Sequence, residues 1–241
     1  MIYTAVSLSI GQLTDPRFRS VLFLGVLLAV AVLGAITLGM VTFVAWLFSD
    51  PVTLPFMGSV EFVSQVLSWA TALLFAILSS FLMMPVASAI MPLFLDRVAD
   101  AVEDMHYPNL APASTSSIGD AIRDGVNFLG VLIAANLAAL VLYLIFAPAA
   151  PFIFWALNGY LLGREYFMLA ALRRMPRPEA KALRARHSGV IWAAGTVIAV
   201  PLSVPVINLI VPILGVAALT HLFHLTQGRN PSDRTNPNLV R

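Results

Sequence analysis

Residues Gly125 to Gly163 read GVNFLGVLIAANLAALVLYLIFAPAAPFIFWALNGYLLG, 39 positions without one Asp, Glu, Lys or Arg. As a single helix this run would measure roughly 60 Å at ~1.5 Å per residue, twice the ~30 Å hydrocarbon core of a bilayer. It is too long for one straight crossing. Ala147-Pro148-Ala149-Ala150-Pro151 supplies the break, because proline lacks the N–H that a helix interior needs and clashes with the preceding turn. The stretch therefore predicts a helical hairpin. Ser188 to Gly228, 41 residues free of the same four types, breaks in the same way at Pro201 and Pro205.

Two further windows, Ser20 to Ser49 and Phe62 to Leu95, hold 30 and 34 such residues. Each suits one long transmembrane helix. The hairpin arms are unequal: Phe152 to Gly163 gives 12 residues and Ser188 to Val200 gives 13, about 18 to 20 Å each, so these arms penetrate the bilayer partially. The expected fold class is all-α integral membrane, with two long transmembrane helices, two partially penetrating helical hairpins and an amphipathic N-terminal helix. Residues 1–228 form one membrane domain in this reading, and 229–241, with Asn230-Pro231 and Asn236-Pro237, a disordered cytoplasmic tail.

Composition agrees. Hydrophobic residues make up 59% and charged residues 11%, against roughly 25% charged in soluble domains, and mean hydropathy is +0.89. The absence of cysteine excludes thiol catalysis, disulfides and thiolate-bound metals. The pI near 9.3 reflects membrane topology rather than a nucleic-acid partner. Gly163 to His187 carries seven basic residues against Glu165 and Glu179 and is expected in the cytoplasm. Arg17 and Arg19 at one end, and Arg229, Arg234 and Arg241 at the other, place both termini there too. Asp50 to Glu61 has no Lys or Arg and reads as an outside connection. Two full spans and two hairpins that enter and leave by one face satisfy this parity.

Met1 to Leu13 lacks a signal-peptide pattern. Ile2, Val6, Ile10 and Leu13 share one face, which suits a helix resting on the membrane surface. Asp96 to Glu103 reads as an exposed helical extension, with Val98 and Val102 on one side and Asp96, Asp100, Glu103 and Asp104 on the other. Pro108 to Ser117 is a loop, and Ser117 can cap the next helix.

Arg17 and Arg19, beside Asp15-Pro16, are the first chemical candidates. Guanidinium forks suit tetrahedral oxyanions, and the free N–H groups of a helix start add partial positive charge; membrane anchoring is the bland alternative. Arg164 and Glu165 form a candidate ion pair at an interface or pathway. Arg173, Arg174 and Arg177 are explained by topology alone. His221 and His224 share a helix face but lack the further ligands of a zinc site, so packing is their default role and no metal is expected. Asn127, Asn136, Asn158 and Asn208 are candidates for polar glue across helices, Gly159 and Gly163 for close helix packing, and Trp46, Trp69, Trp155 and Trp192 for interfacial belts. No phosphate loop, nucleophile triad or zinc-protease helix occurs. Neither an enzyme nor a cofactor is called for.

Four blocks, in this order, resemble the CysZ-type family, the bacterial sulfate-permease branch of the etoposide-induced domain superfamily. They are Leu13-Thr14-Asp15-Pro16-Arg17-Phe18-Arg19, Met91 to Glu103, Gly163-Arg164-Glu165-Tyr166-Phe167 and Val204 to Thr220. The resemblance implies two long helices plus two pairs of partially penetrating helices, a homo-oligomer in the bacterial inner membrane, and sulfate uptake for cysteine synthesis without an ATPase of its own. It further implies a sulfate contact at a Gly-Leu-Arg-Arg turn. Arg19 matches the second arginine and Phe18 falls on the first, with Arg17 displaced by one, so Arg17, Phe18 and Arg19 are the expected substrate-binding residues. The expected partners are sulfate or a similar oxyanion, membrane lipid and further copies of the chain. The competing reading is a non-transporting scaffold or regulator that recruits a partner or anionic lipid through its basic cytoplasmic segment.

Overall fold

The computed structural model describes residues 1–47, 52–54, 58–60, 94–113 and 118–231, with scattered positions between 66 and 90. The expected second span, Phe62 to Leu95, lies largely outside the described residues, as do the Ser117 cap and the tail from 232. The chain divides into two compact units, residues 1–22 with 93–241, and residues 23–92.

Residues 23–92 contain most of helix α2 (Pro16–Leu47). At 32 residues it is about 48 Å long, enough to cross a bilayer. Phe23, Leu27, Val30, Leu38, Phe43 and Trp46 are exposed along it, as expected of side chains solvated by lipid. The connection Asp50 to Glu61 contains an antiparallel pair, β1 (Val52–Leu54) and β2 (Gly58–Val60), in register Val52 to Val60 and Leu54 to Gly58. β-Branched Val52, Thr53 and Val60 favour that pairing.

The larger unit holds α1 (Ile2–Gly11), α3 (Leu95–His106), α4 (Ile118–Ile145), α5 (Ala150–Leu172), α6 (Arg177–Arg186), α7 (Ser188–Ala199), the one-turn α8 (Pro205–Asn208) and α9 (Val211–Thr226). α4 and α5 form the first hairpin, turning through a 3₁₀ segment at Ala147–Ala149. α7 and α9 form the second, turning through Val200–Ser203 and α8. Both breaks fall at the prolines. Val126–Ile145 of α4 is long and apolar enough to span, and only 6% of it is buried within the protein, so its covering is lipid or another chain. This is the architecture of an α-helical membrane protein, with two long apolar helices and shorter apolar ones.

Several expectations change. The arm expected to end at Gly163 runs on to Leu172, 23 residues in all. Charge at Arg164-Glu165 ends an apolar window but breaks no backbone hydrogen bond. α7, at 12 residues, is as short as expected. α1 forms, and the positions it buries against the protein are Ala5 and Ser9, on a different face from the Ile2-Val6-Ile10 stripe. Small side chains let α1 approach α9, leaving Tyr3 and Ile10 exposed. Asn136 and Asn158 donate not across helices but to carbonyls one turn back in their own, Leu132 and Phe154, at 2.8 Å each. Trp155 Nε1 donates to Ser203 Oγ and Trp192 Nε1 to the Ala156 carbonyl, both at 2.8 Å, so these two indoles brace α5 against the second hairpin.

α9 is the hub of this unit, buried almost end to end and packed against α1, α3, α5 and α7. The tightest contact lies between α5 and α7, where Gly159, Gly163 and Gly195 bring the backbones together. A Cβ on Gly195 would sit 2.0 Å from the Gly159 carbonyl oxygen, and one on Gly163 2.6 Å from that of Ile191. Neither oxygen belongs to a flexible side chain. Gly195→Val is therefore expected to lower stability by at least the ~1–3 kcal/mol of overpacking, read as a fall in the thermal midpoint of detergent-purified protein. Gly189→Ala, at a position with nothing within 4 Å, should stay within about 0.5 kcal/mol of wild type.

Candidate functional site

Asp15 precedes Pro16, and its carboxylate caps α2: Oδ1 accepts from the Arg17 backbone N–H at 2.8 Å, as an N-cap does. Gln12 holds that carboxylate in place, donating from Nε2 to Asp15 Oδ2 at 3.3 Å and to the Ala101 carbonyl of α3 at 3.0 Å. The helix start is thus already served by an internal anion, and the free N–H groups expected there are partly consumed. The Arg17 side chain donates to Asp104 Oδ2 of α3 at 2.7 Å, and its Nε lies 3.8 Å from Asp15 Oδ1.

Phe18 is 2% exposed and serves as core packing, out of reach of a hydrated anion. Arg19 is exposed, and among the described residues its side chain has no hydrogen bond or ion pair. Two positions along a helix turn a side chain by about 200°, so Arg17 and Arg19 diverge. A cleft of about 280 Å³ beside Arg17 is lined by Ser20, Val21, Arg97 and Asp100 and does not include Arg19. Arg97 stands over the Phe94 ring at 5.4 Å, a cation–π contact that orients it. The cleft therefore joins two guanidinium groups, Arg17 and Arg97, with one hydroxyl. Arg97 and Ser20 were not singled out in the sequence, although Arg97 stands within the Met91 to Glu103 block.

Behind the cleft α3 is fixed by a buried carboxylate. Glu103, expected on the wet face, has a side chain 3% exposed. It accepts from Arg174 Nε at 2.8 Å, Arg173 Nη2 at 3.1 Å and His224 Nε2 at 3.0 Å. Arg229 Nη1 lies 3.2 Å from His224 Nδ1. An arginine only donates, so Nδ1 accepts and the Nε2–H tautomer is the one that serves Glu103. Arg173 also pairs with Asp96 and Asp100, and Arg174 donates to the Ala111 carbonyl. These two arginines are structural. Tyr107 OH lies 3.1 Å from His221 Nδ1, so both histidines belong to a buried polar network. Among the described residues no group of three or more His, Asp or Glu is placed to hold a metal.

Arg164 and Glu165 line one hollow with Asn127, but no ion pair joins them. Arg164 Nη1 is buried without a hydrogen-bond partner, since consecutive helical residues point about 100° apart.

The family model "Sulfate transporter CysZ/Etoposide-induced protein 2.4" matches residues 5–212. The chain belongs to this family. That span takes in the α2 start, the Glu103 helix, the first hairpin and α7, and ends at the start of α9. No curated protein matches the chain at a significant level.

Burial alone would raise the Glu103 carboxyl, but the hydrogen bonds from His224 and Arg174 and the charges of Arg173 and Arg174 outweigh it and hold it at about 2, below the ordinary 4.5. The folded state binds this proton more weakly than the unfolded chain. Its contribution to stability is therefore complete above about pH 4.5 and is lost as pH falls towards about 2. Thermal midpoints of the detergent-purified protein should decline across that window, with a shallower slope in Glu103→Gln. Glu103→Ala, which strands two arginines, should cost about 3–5 kcal/mol at neutral pH.

Proposed function

We propose that this chain is a permease or channel for sulfate or a closely related oxyanion, importing it across a bacterial inner membrane for cysteine synthesis. The observation that carries the reading is the family match over residues 5–212. The chain acts as a homo-oligomer, multi-pass, with both termini in the cytoplasm, where the basic segment Gly163 to His187 belongs under the positive-inside rule. The shortness of α7, 12 residues, supports the same scheme. Irregular backbone at Val200–Ser203 needs protein or a wet cavity around it at membrane depth, and a neighbouring subunit offers either.

The anion docks in the cleft of Arg17, Ser20 and Arg97, with exposed Arg19 raising the local concentration of anions at its rim. Guanidinium forks and a hydroxyl replace part of the hydration shell of a dianion. Asp104 already occupies Arg17 and Asp100 stands in the cleft, so an entering oxyanion exchanges with carboxylates rather than filling an empty site. That exchange keeps affinity low, which permeation requires. The scaffold reading draws less support, because Arg173 and Arg174 of the basic segment are committed inside the protein.

The test is uptake of radiolabelled sulfate by proteoliposomes. Uptake above that of protein-free vesicles is expected, and uptake equal to it would sink the proposal. Arg97→Gln removes a charge-assisted contact worth about 1.5–3 kcal/mol and should weaken sulfate binding roughly ten- to hundredfold in protein of unchanged gel-filtration profile. Asp104→Asn removes the closer of Arg17's two carboxylate partners and should tighten binding. A mere anchoring role for Arg17 predicts no gain.

A further inference from the structure

A second hollow, of about 230 Å³, opens where α4, α5 and α6 meet, and it includes neither Arg17 nor Arg97. Arg164 of α5 and Lys181 and Arg184 of α6 line it. Among the described residues none of the three makes an ion pair. Arg164 Nη1 and Arg184 Nε are both buried without a hydrogen-bond partner. Arg173 also borders the hollow, but it is held by Asp96, Asp100 and Glu103. The lining carries four cations against two carboxylates, Asp96 and Glu165, leaving two positive charges uncompensated. Like charges lining one hollow repel one another, and a buried N–H with no partner forfeits its hydration.

The geometry points to an anion site, taking a doubly charged tetrahedral oxyanion of the phosphate class. Two guanidinium groups offer planar forks for its oxygens and Lys181 a compact charge. The hollow is several times the ~30 Å³ share of one water, room for an anion that keeps part of its hydration. Phe128, Met168 and Leu172 form an apolar wall, so the chemistry admits two sources of phosphate, a free ion or the headgroup of an anionic lipid with its chain along that wall. The site does not depend on sulfate transport through the Arg17 cleft.

Two probes separate the sources, each applied to the full-length protein purified in neutral detergent. Labelled inorganic phosphate is measured by equilibrium binding, and phosphatidic acid is measured by native mass spectrometry against phosphatidylcholine. Saturable binding of phosphate identifies a free oxyanion, and retention of phosphatidic acid alone identifies a headgroup. In the arm that binds, Arg184→Gln should lower affinity at least tenfold. Arg186→Gln, the same charge change on α6 at a residue that does not line the hollow, should stay within twofold of wild type. Arg184→Lys, which keeps the charge, should restore part of the loss, and an unchanged gel-filtration profile of Arg184→Gln shows that the glutamine variant is folded. The signal should also survive Arg17→Gln, which disables the other cleft. Binding of neither probe, or equal losses in Arg184→Gln and Arg186→Gln, overturns the site.

Discussion

The carboxylate of Glu103 is the point at which α3, the chain after α5, α9 and the segment beyond α9 are held together. It accepts hydrogen bonds from Arg173, Arg174 and His224, and His224 in turn is held by Arg229. Taking a carboxylate and two guanidinium groups out of water is unfavourable by several kcal/mol per ion, and it is offset only when nearly every donor and lone pair is matched. That condition fixes the rotation of α3 about its own axis. With Glu103 turned inward, Asp104 faces outward to Arg17, and Asp100, one turn earlier, faces both Arg173 and the cleft. The cleft beside Arg17 thus takes its shape from a buried group that does not line it.

The second hairpin depends on a different constraint, the removal of side chains. α7 has 12 residues and α9 has 16, too few for either to stand alone against the bilayer. Their stability comes from burial of α9 on all sides and from the glycine contact between α5 and α7. Where lipid is as apolar as the side chains it would replace, hydrophobic burial gives little preference for protein over lipid, so close backbone approach and dispersion carry the packing. Gly159 and Gly163 at one-turn spacing, facing Gly195, provide that approach. The indoles of Trp155 and Trp192 add hydrogen bonds across the same seam.

The hairpins were legible because their signals are local: a run without charge has a length, and proline interrupts a helix wherever the fold places it. Gly159 and Gly163 were legible for the same reason, since helical periodicity alone puts them on one face. The far end of α5 was not. Arg164 and Glu165 close an apolar window, but a helix continues through charged residues as long as its hydrogen bonds do, and here they continue to Leu172. The inward turn of Glu103 was also hidden, because an amphipathic helix with four acids looks like a wet face until two arginines about 70 positions away are brought against it. Arg97 shared that difficulty. Its neighbour Arg17 is joined to α3 through Asp104, 87 positions along the chain, and no spacing rule reaches so far.

The same distinction separates the basic residues by role. Counted along the sequence, Arg17, Arg164, Arg173, Arg174, Lys181 and Arg184 are six equivalent contributions to a positive-inside signal. In space they fall into three groups. Arg173 and Arg174 are ion-paired with Glu103 and its neighbours, and giving up those pairs would release α3. Arg17 is paired to one exposed carboxylate, Asp104, a surface pair of the kind worth about 1 kcal/mol or less, and can exchange it for a solute. Arg164 and Arg184 have buried N–H groups with no acceptor, and Lys181 lines the same hollow. The partners each cation already holds, rather than the charge count, therefore decide which of these groups is open to a further acceptor.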